Sequence, residues 1–179
     1  MKVAIIDNGS ALLDELKVTV QSALGQRPDI ISYPDIQIDN YDWFVFSGRA
    51  HRSSLTDRWM KRLISQLDGR PSVFICYAAE TLNLNAGGSL RKMSSRLFGY
   101  YEVMFDKNKI GVPPGGYKVF ESRYLTIGRL GSGLEPIASG NGIEAFISDS
   151  GYLGLMFHPE KSYEFGIKIL KAYFYGKYF

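Results

Sequence analysis

The sequence is poor in the residues that staple small secreted proteins or build metal centres. Its 179 residues include one cysteine and two histidines. One cysteine excludes an intramolecular disulfide and any cysteine-based zinc cluster. Long apolar runs are missing too. The run over residues 3–6 is too short for a signal peptide or a membrane span. Charge of one sign is lacking: a net charge of +3, with acids and bases interspersed, is too mild to argue for nucleic acid. No Gly-rich loop leads into Lys-Ser or Lys-Thr, which leaves no P-loop for a nucleoside triphosphate. There is no internal repeat, low-complexity run or interdomain linker. These absences predict one domain over residues 1–179, cytoplasmic, with a reduced thiol and no metal or cofactor.

What is present suits a packed α/β domain. Hydrophobic residues make up 45% of the chain and charged residues 22%, enough for a sizeable core with a solvated surface. Residues 2–6, 29–33, 42–46 and 73–75 read as short apolar strands. Between them, Leu12, Leu13, Leu16, Val20 and Leu24 recur at helical spacing up to Gly25, with Ser10 as a candidate cap. Trp59, Met60, Leu63, Ile64 and Leu67 mark a second amphipathic helix. Strands alternating with helices predict a mostly parallel central sheet with helices on both faces, and ligands bind outside the carboxyl ends of such strands. From residue 100 the pattern changes to short β segments (101–105, 118–121, 124–127, 143–147, 154–157) punctuated by Gly and Pro. They predict a small antiparallel β region added to one side of the core. Ser162 then opens a last helix, with Phe165, Ile169, Leu170 and Phe174 on its apolar face.

The chemistry-bearing residues are few. Val73 to Ile75 ends on the single cysteine, Cys76, and helix-compatible residues follow as far as Gly87-Gly88. A strand that turns sharply into a helix at a nucleophile is an elbow. It sets the sulfur at a helix N-terminus, where the dipole stabilises a thiolate. By itself, a lone cysteine in an apolar run reads as a buried small hydrophobe. His158 stands in Leu155-Met156-Phe157-His158-Pro159-Glu160, delivered by an apolar strand that proline ends. A carboxylate beneath an imidazole fixes its tautomer and leaves the other nitrogen free to take a thiol proton. By itself, His-Pro-Glu also reads as a strand-terminating turn with solvated charges.

Together these pieces resemble the class I (triad) glutamine amidotransferase domain. The resemblance rests on Cys76 at an elbow, Ser47-Gly48 after the third strand, and the late Phe157-His158-Pro159-Glu160. It extends over nearly the whole chain. Asn83 to Gly88 stands where the family has a Gly-Gly helix end, and the segments 133–138 and 142–145 match its late β segments in order. Glu121-Ser122-Arg123-Tyr124 is similar to a segment of anthranilate-synthase and aminodeoxychorismate-synthase glutaminase subunits. What the resemblance implies is a three-layer, flavodoxin-like α/β fold and hydrolysis of glutamine to glutamate and ammonia. Cys76 would be the nucleophile, His158 the proton shuttle and Glu160 its orienting carboxylate. Backbone N–H groups of Tyr77, Gly48 and Arg49 would hold the oxyanion. Glu80, Ser122, Arg123 and Tyr124 would meet the substrate. Ammonia would pass to a partner synthetase.

Four positions depart from the family pattern. Phe74 stands where the tight elbow has glycine, and Glu80 replaces a substrate-contacting glutamine. Arg49 replaces a loop glycine; it keeps the backbone N–H but tolerates positive φ poorly, and it is also a candidate carboxylate binder. Met156 replaces a glutamine. These departures spare the triad and fall on the pocket. They set a glutaminase completed by its partner against a divergent protein with another amide or γ-glutamyl substrate, or with a non-catalytic regulatory or scaffold role. His51, beside Arg49 and Arg52, reads as an exposed loop histidine, and Arg91, Lys92 and Arg96 as a solvated loop. The aromatic C-terminus (Tyr173, Phe174, Tyr175, Tyr178, Phe179) reads as packing.

Overall fold

A computed structural model describes residues 1–34, 36–51 and 53–176; Arg52, Tyr178 and Phe179 lie outside the described residues. The chain runs β1 (Val3–Ile6), α1 (Leu13–Leu24), β2 (Asp29–Ile31), β3 (Trp43–Phe46), α2 (Ser54–Ile64), β4 (Ser72–Ile75) and α3 (Tyr77–Asn85). It continues with β5 (Ser89–Phe105), β6 (Gly115–Arg129), β7 (Leu134–Ser139), β8 (Ile143–Ser148), β9 (Leu153–Leu155) and α4 (Tyr163–Tyr175). All nine strands form one sheet in the order β2-β1-β3-β4-β9-β8-β7-β5-β6. The first five in that order pair in parallel. The remaining pairings are antiparallel.

Strand periodicity sorts the core into two halves. Val3, Ile5, Val45, Val73, Ile75 and Leu155 face Leu16 and Val20 of α1 and Ile169 and Leu170 of α4. Ala4, Ile6, Phe44, Phe46 and Phe74 face Met60 and Leu63 of α2 and Ala78, Ala79 and Leu82 of α3. Both faces of the parallel strands are thus covered, which is why they read as unbroken apolar runs. At the first helix, Gly25 ends α1 in the left-handed conformation, with φ 69°. The Ser10 hydroxyl instead accepts from the Leu12 N–H at 3.1 Å, which orders the turn ahead of the helix rather than its first turn.

The antiparallel half departs most from the sequence expectation. Strand β5 begins at Ser89, so Arg91, Lys92 and Arg96 lie on a strand and not in a loop. The two segments expected at 118–121 and 124–127 are parts of the single strand β6. The first half of β5 is mostly exposed, so no apolar alternation marks it; its ladder to β6 holds it extended. No described helix is long and apolar enough to cross a membrane.

Candidate active site

Cys76 ends β4 and begins α3. Its φ of 49° and ψ of −108° lie outside the regions L-residues favour, and such a backbone costs about 1–3 kcal/mol. Two tethers hold the turn: the Cys76 N–H donates to Leu155 O of β9 at 2.7 Å, and the Glu80 N–H donates back to Cys76 O at 2.9 Å. Phe74 fits here without distorting the elbow. One cross-strand row runs Ile6, Phe46, Phe74, Gly154, Phe146. The Phe74 ring stacks on Phe46 at 4.4 Å between centroids and meets Tyr152 at 5.9 Å. The glycine of the row is Gly154, on the neighbouring strand: a Cβ there would lie 2.3 Å from Cζ of Phe146. Phe74 therefore points into the core on the α2–α3 side, away from the nucleophile.

His158 arrives from β9, the strand paired with β4, three residues after Leu155. Its N–H donates to Phe120 O of β6 at 2.8 Å. The Ser162 hydroxyl donates to His158 O at 2.6 Å and accepts from the Phe120 N–H at 3.0 Å. The ring is buried, with Nδ1 2.9 Å from Glu160 Oε1, which leaves Nε2 for Cys76. Burial by itself disfavours the imidazolium. The charges of Cys76 and Glu160, with hydrogen bonds to both, outweigh it and hold His158 well above the ordinary histidine range. Glu160 Oε2 is buried without a hydrogen-bond partner among the described residues, so the imidazole is the only group its carboxylate engages there.

The loop after β3 closes the site from the other side. A Cβ on Gly48 would stand 3.2 Å from His158 Cε1 and 3.7 Å from Cys76 Cβ, so only glycine fits without a shift. The N–H groups of Gly48 and Arg49 have no hydrogen-bond acceptor among the described residues. The N–H of Tyr77 opens α3 and has no intrahelical acceptor. Arg49 is not at positive φ, so no glycine is required there. Its guanidinium does not stand free for a carboxylate. It donates to Asp57 Oδ1 at 2.8 Å and Ser53 O at 3.1 Å, and lies 3.5 Å over the Tyr77 ring.

Cys76, Tyr77, Arg49, Glu80, Ser122, Arg123, Tyr124 and His158 line one cleft of about 710 Å³, with His51 exposed on its rim. Arg123 is fully engaged beneath the wall. Its Nε donates to Glu121 Oε2 at 2.7 Å, its Nη2 to both oxygens of Glu144 at 2.7 and 2.8 Å, and its Nη1 to Leu125 O at 3.0 Å. Two carboxylates share one guanidinium. Burial, opposed by Arg123 and reinforced by Glu121, pushes Glu144 up to about 7. Ser122 accepts from Arg96 at 2.9 Å, and Arg96 also lies over the rings of Phe98 and Tyr124. Phe98, Tyr124 and Tyr163 are the more exposed members of an aromatic face beside the cleft; Phe120 and Tyr100 link Phe98 to Tyr163, and Arg96 links Phe98 to Tyr124. Phe120, Ser162 and Asp57 do not stand out as site residues in the sequence; only the four-residue spacing of Ser162 from His158 hints at a role. Among the described residues no group of His, Cys, Asp or Glu side chains converges as a metal site.

A mixed sheet carrying a cysteine elbow that faces a buried His–Glu pair is the arrangement that the resemblance to class I glutamine amidotransferases implies. No protein-family model matches the chain. It is 30% identical, over 190 residues, to the imidazole glycerol phosphate synthase subunit HisH of Picrophilus torridus, covering 96% of this chain and 97% of that protein. In fold it is similar to a GMP synthase subunit of Thermoplasma acidophilum, with a TM-score of 0.83, 22% identity, and 97% and 92% of the two chains covered. PurLQS of Thermotoga maritima gives 0.78 at 16% identity, with 97% and 95% covered. A glutamine amidotransferase of Thermotoga maritima gives 0.76 at 18%, with 89% and 76% covered. The chain belongs to the class I glutamine amidotransferase family.

Proposed function

We propose that this chain is the glutaminase subunit of a two-component amidotransferase. The observation that carries the reading is the conjunction in one cleft of Cys76 on a positive-φ elbow and His158 held by Glu160 at 2.9 Å. The Cys76 thiolate attacks the side-chain amide carbon of glutamine. The oxyanion that forms is met by the N–H groups of Tyr77 and the Gly48-Arg49 loop, each well-aimed donor lowering the barrier by about 3 kcal/mol. The His158 imidazolium gives its proton to the leaving nitrogen, the C–N bond breaks, and ammonia departs. A γ-glutamyl thioester remains on Cys76. Water, giving its proton to His158, attacks the thioester; the C–S bond breaks, glutamate leaves, and the thiolate–imidazolium pair is restored. Glu160 keeps the imidazole oriented and favours its charged form in both halves.

Glu80 stands one helical turn beyond Cys76 and contributes a carboxylate for the substrate α-ammonium. Ser122 and Tyr124 form the opposite wall, with Arg123 anchoring it from beneath. Two of the relatives named above are subunits of different synthases, and the step we assign to this chain is glutamine hydrolysis. The acceptor is a synthetase that covers the cleft mouth. The exposed aromatic face supports this, and the basic side chains exposed along β5 and β6 (Arg91, Lys92, Arg96, Lys118) match a partner with an acidic rim. We place the single-domain chain in the cytoplasm, where its thiol stays reduced.

Treatment with a glutamine-analogue electrophile followed by mass spectrometry tests the reading. A stoichiometric adduct on Cys76, abolished in Cys76→Ala, is expected. No adduct, even with a co-purified partner, would overturn it and leave a regulatory or scaffold role. Glu80, where the family has glutamine, favours a second reading in which another γ-glutamyl amide is the substrate. Ammonia release across a small amide panel separates the two.

A further inference from the structure

The loop that carries the oxyanion donors is anchored at its start, where Asn8 Nδ2 donates to Ser47 O at 2.7 Å and the Ser47 hydroxyl donates to Gly48 O at 2.9 Å, but these bonds face β1 and not α3. Its last ladder bond is Ser47 N–H to Ile6 O at 3.0 Å, and its next backbone tether is Ala50 N–H to Gly9 O at 2.9 Å. Gly48 and Arg49 lie between these two bonds. The opposing donor, Tyr77, belongs to a different element, the first turn of α3. No backbone hydrogen bond joins Gly48 or Arg49 to that turn among the described residues. Two donors must nevertheless point at one oxygen, and a misplacement of about 1 Å costs about 100-fold in rate.

Side chains make the connection that the backbone lacks. The Arg49 guanidinium carbon lies 3.5 Å from the centre of the Tyr77 ring, and the group donates to Asp57 Oδ1 at 2.8 Å. The Tyr77 hydroxyl donates to the same Asp57 oxygen. A further bond from Arg49 to Ser53 O, at 3.1 Å, ties the loop to the N-cap residue of α2. One guanidinium thus meets a ring, a carboxylate and a carbonyl at once, a combination that its planar, weakly hydrated head suits better than a compact ammonium. The Arg49 side chain is only 10% exposed, whereas Asp57 is 51% exposed, so the contact holds the guanidinium inward from the α2 side.

We propose that Arg49, Asp57 and Tyr77 form a latch that positions the Gly48-Arg49 loop against the first turn of α3, and that Arg49 and Asp57 are positioning residues for the oxyanion site. This rests on the glutaminase reading above.

The test compares two reactions of Cys76 in the full chain, glutamine hydrolysis and alkylation by iodoacetamide, because only hydrolysis uses the oxyanion site. In Arg49→Ala and in Asp57→Asn, kcat is expected to fall about 10- to 100-fold with KM within about threefold. Alkylation is expected to stay within about twofold of the parent rate. The double variant is expected to lose little more than either single one, and added guanidinium to restore part of the Arg49→Ala loss. Hydrolysis unchanged in Arg49→Ala overturns the latch, as does alkylation that falls in step with hydrolysis. A parent chain that hydrolyses no glutamine, alone or with its partner, overturns the glutaminase reading instead. Amide exchange at Ala50 then decides the latch: exchange at least about tenfold faster in Arg49→Ala supports it, and unchanged exchange overturns it.

Discussion

At the scale of single residues, the site depends on His158 being charged while almost fully buried. An isolated imidazolium in that position would lose its proton. Cys76 and Glu160 reverse the preference, and Glu160 acts through one oxygen at 2.9 Å. Glu160→Gln removes one of these charges and keeps the shape. The His158 titration is expected to move to lower pH, and the alkylation rate of Cys76 near pH 7 to fall with it. Imidazole proton NMR checks this directly, since the chain has only His51 and His158. A His158 titration unmoved by the substitution would remove Glu160 from the pair. The raised value also carries a stability sign. The native state takes up a proton that the unfolded state lacks, so this contribution is present below the unfolded histidine range and is lost as pH rises through the folded value.

At the scale of elements, two features show how strand pairing places chemistry. The first is the row Phe46, Phe74, Gly154, Phe146, in which Phe74 stacks on Phe46 and Gly154 leaves room for the Phe146 ring. Phe74→Gly, which restores the family pattern, empties a site that is fully buried. It is expected to destabilise the fold by about 3–5 kcal/mol, read by chemical denaturation, with no gain in hydrolysis per folded molecule. The second is the buried cluster Glu121–Arg123–Glu144 joining β6 to β8 behind the cleft wall. Glu144 rises from 4.5 to about 7, so the native state holds a proton there that the unfolded state has released. This group's contribution is therefore complete below about pH 4.5 and is lost as pH rises towards 7. The stability of the parent relative to Glu144→Gln is expected to fall by up to about 3 kcal/mol across that window. A flat difference between denaturation curves at pH 4.5 and pH 7.5 would contradict it. Arg123 keeps Glu121 in the variant, so the cluster is not left with an unpaired cation.

At the scale of the whole molecule, packing inside the described chain leaves the aromatic face beside the cleft uncovered. Phe98 is 63% exposed and Tyr163 71%. Phe98→Glu and Tyr163→Glu are expected to leave the melting temperature of the isolated chain within about 2 °C, since surface changes shift stability by about 0.5 kcal/mol or less. They are expected to weaken capture of the proposed partner at least about tenfold in a pull-down or titration, because a negative charge then replaces an apolar contact on the proposed docking face.

The parallel strands β1, β3 and β4 were legible in the sequence because burial on both faces demands unbroken apolar runs, and α1 and α2 because their apolar positions recur at helical spacing. Cys76, His158 and Glu160 were legible because a chain with one cysteine and two histidines offers few candidates for such chemistry. The first half of β5 was not, because a ladder to β6 holds exposed polar residues extended and leaves no periodic trace. Three matters were decided only in three dimensions. Phe74 is accommodated by stacking on Phe46 beside Tyr152, Arg49 is held by Asp57 and Tyr77, and Arg123 is spent on two buried carboxylates. Each depends on which side chains meet across elements distant in the chain. Composition and local pattern determined the layers and marked the cysteine, histidine and glutamate that the fold brings to one cleft. Long-range packing determined which pocket side chains remain free to meet a substrate.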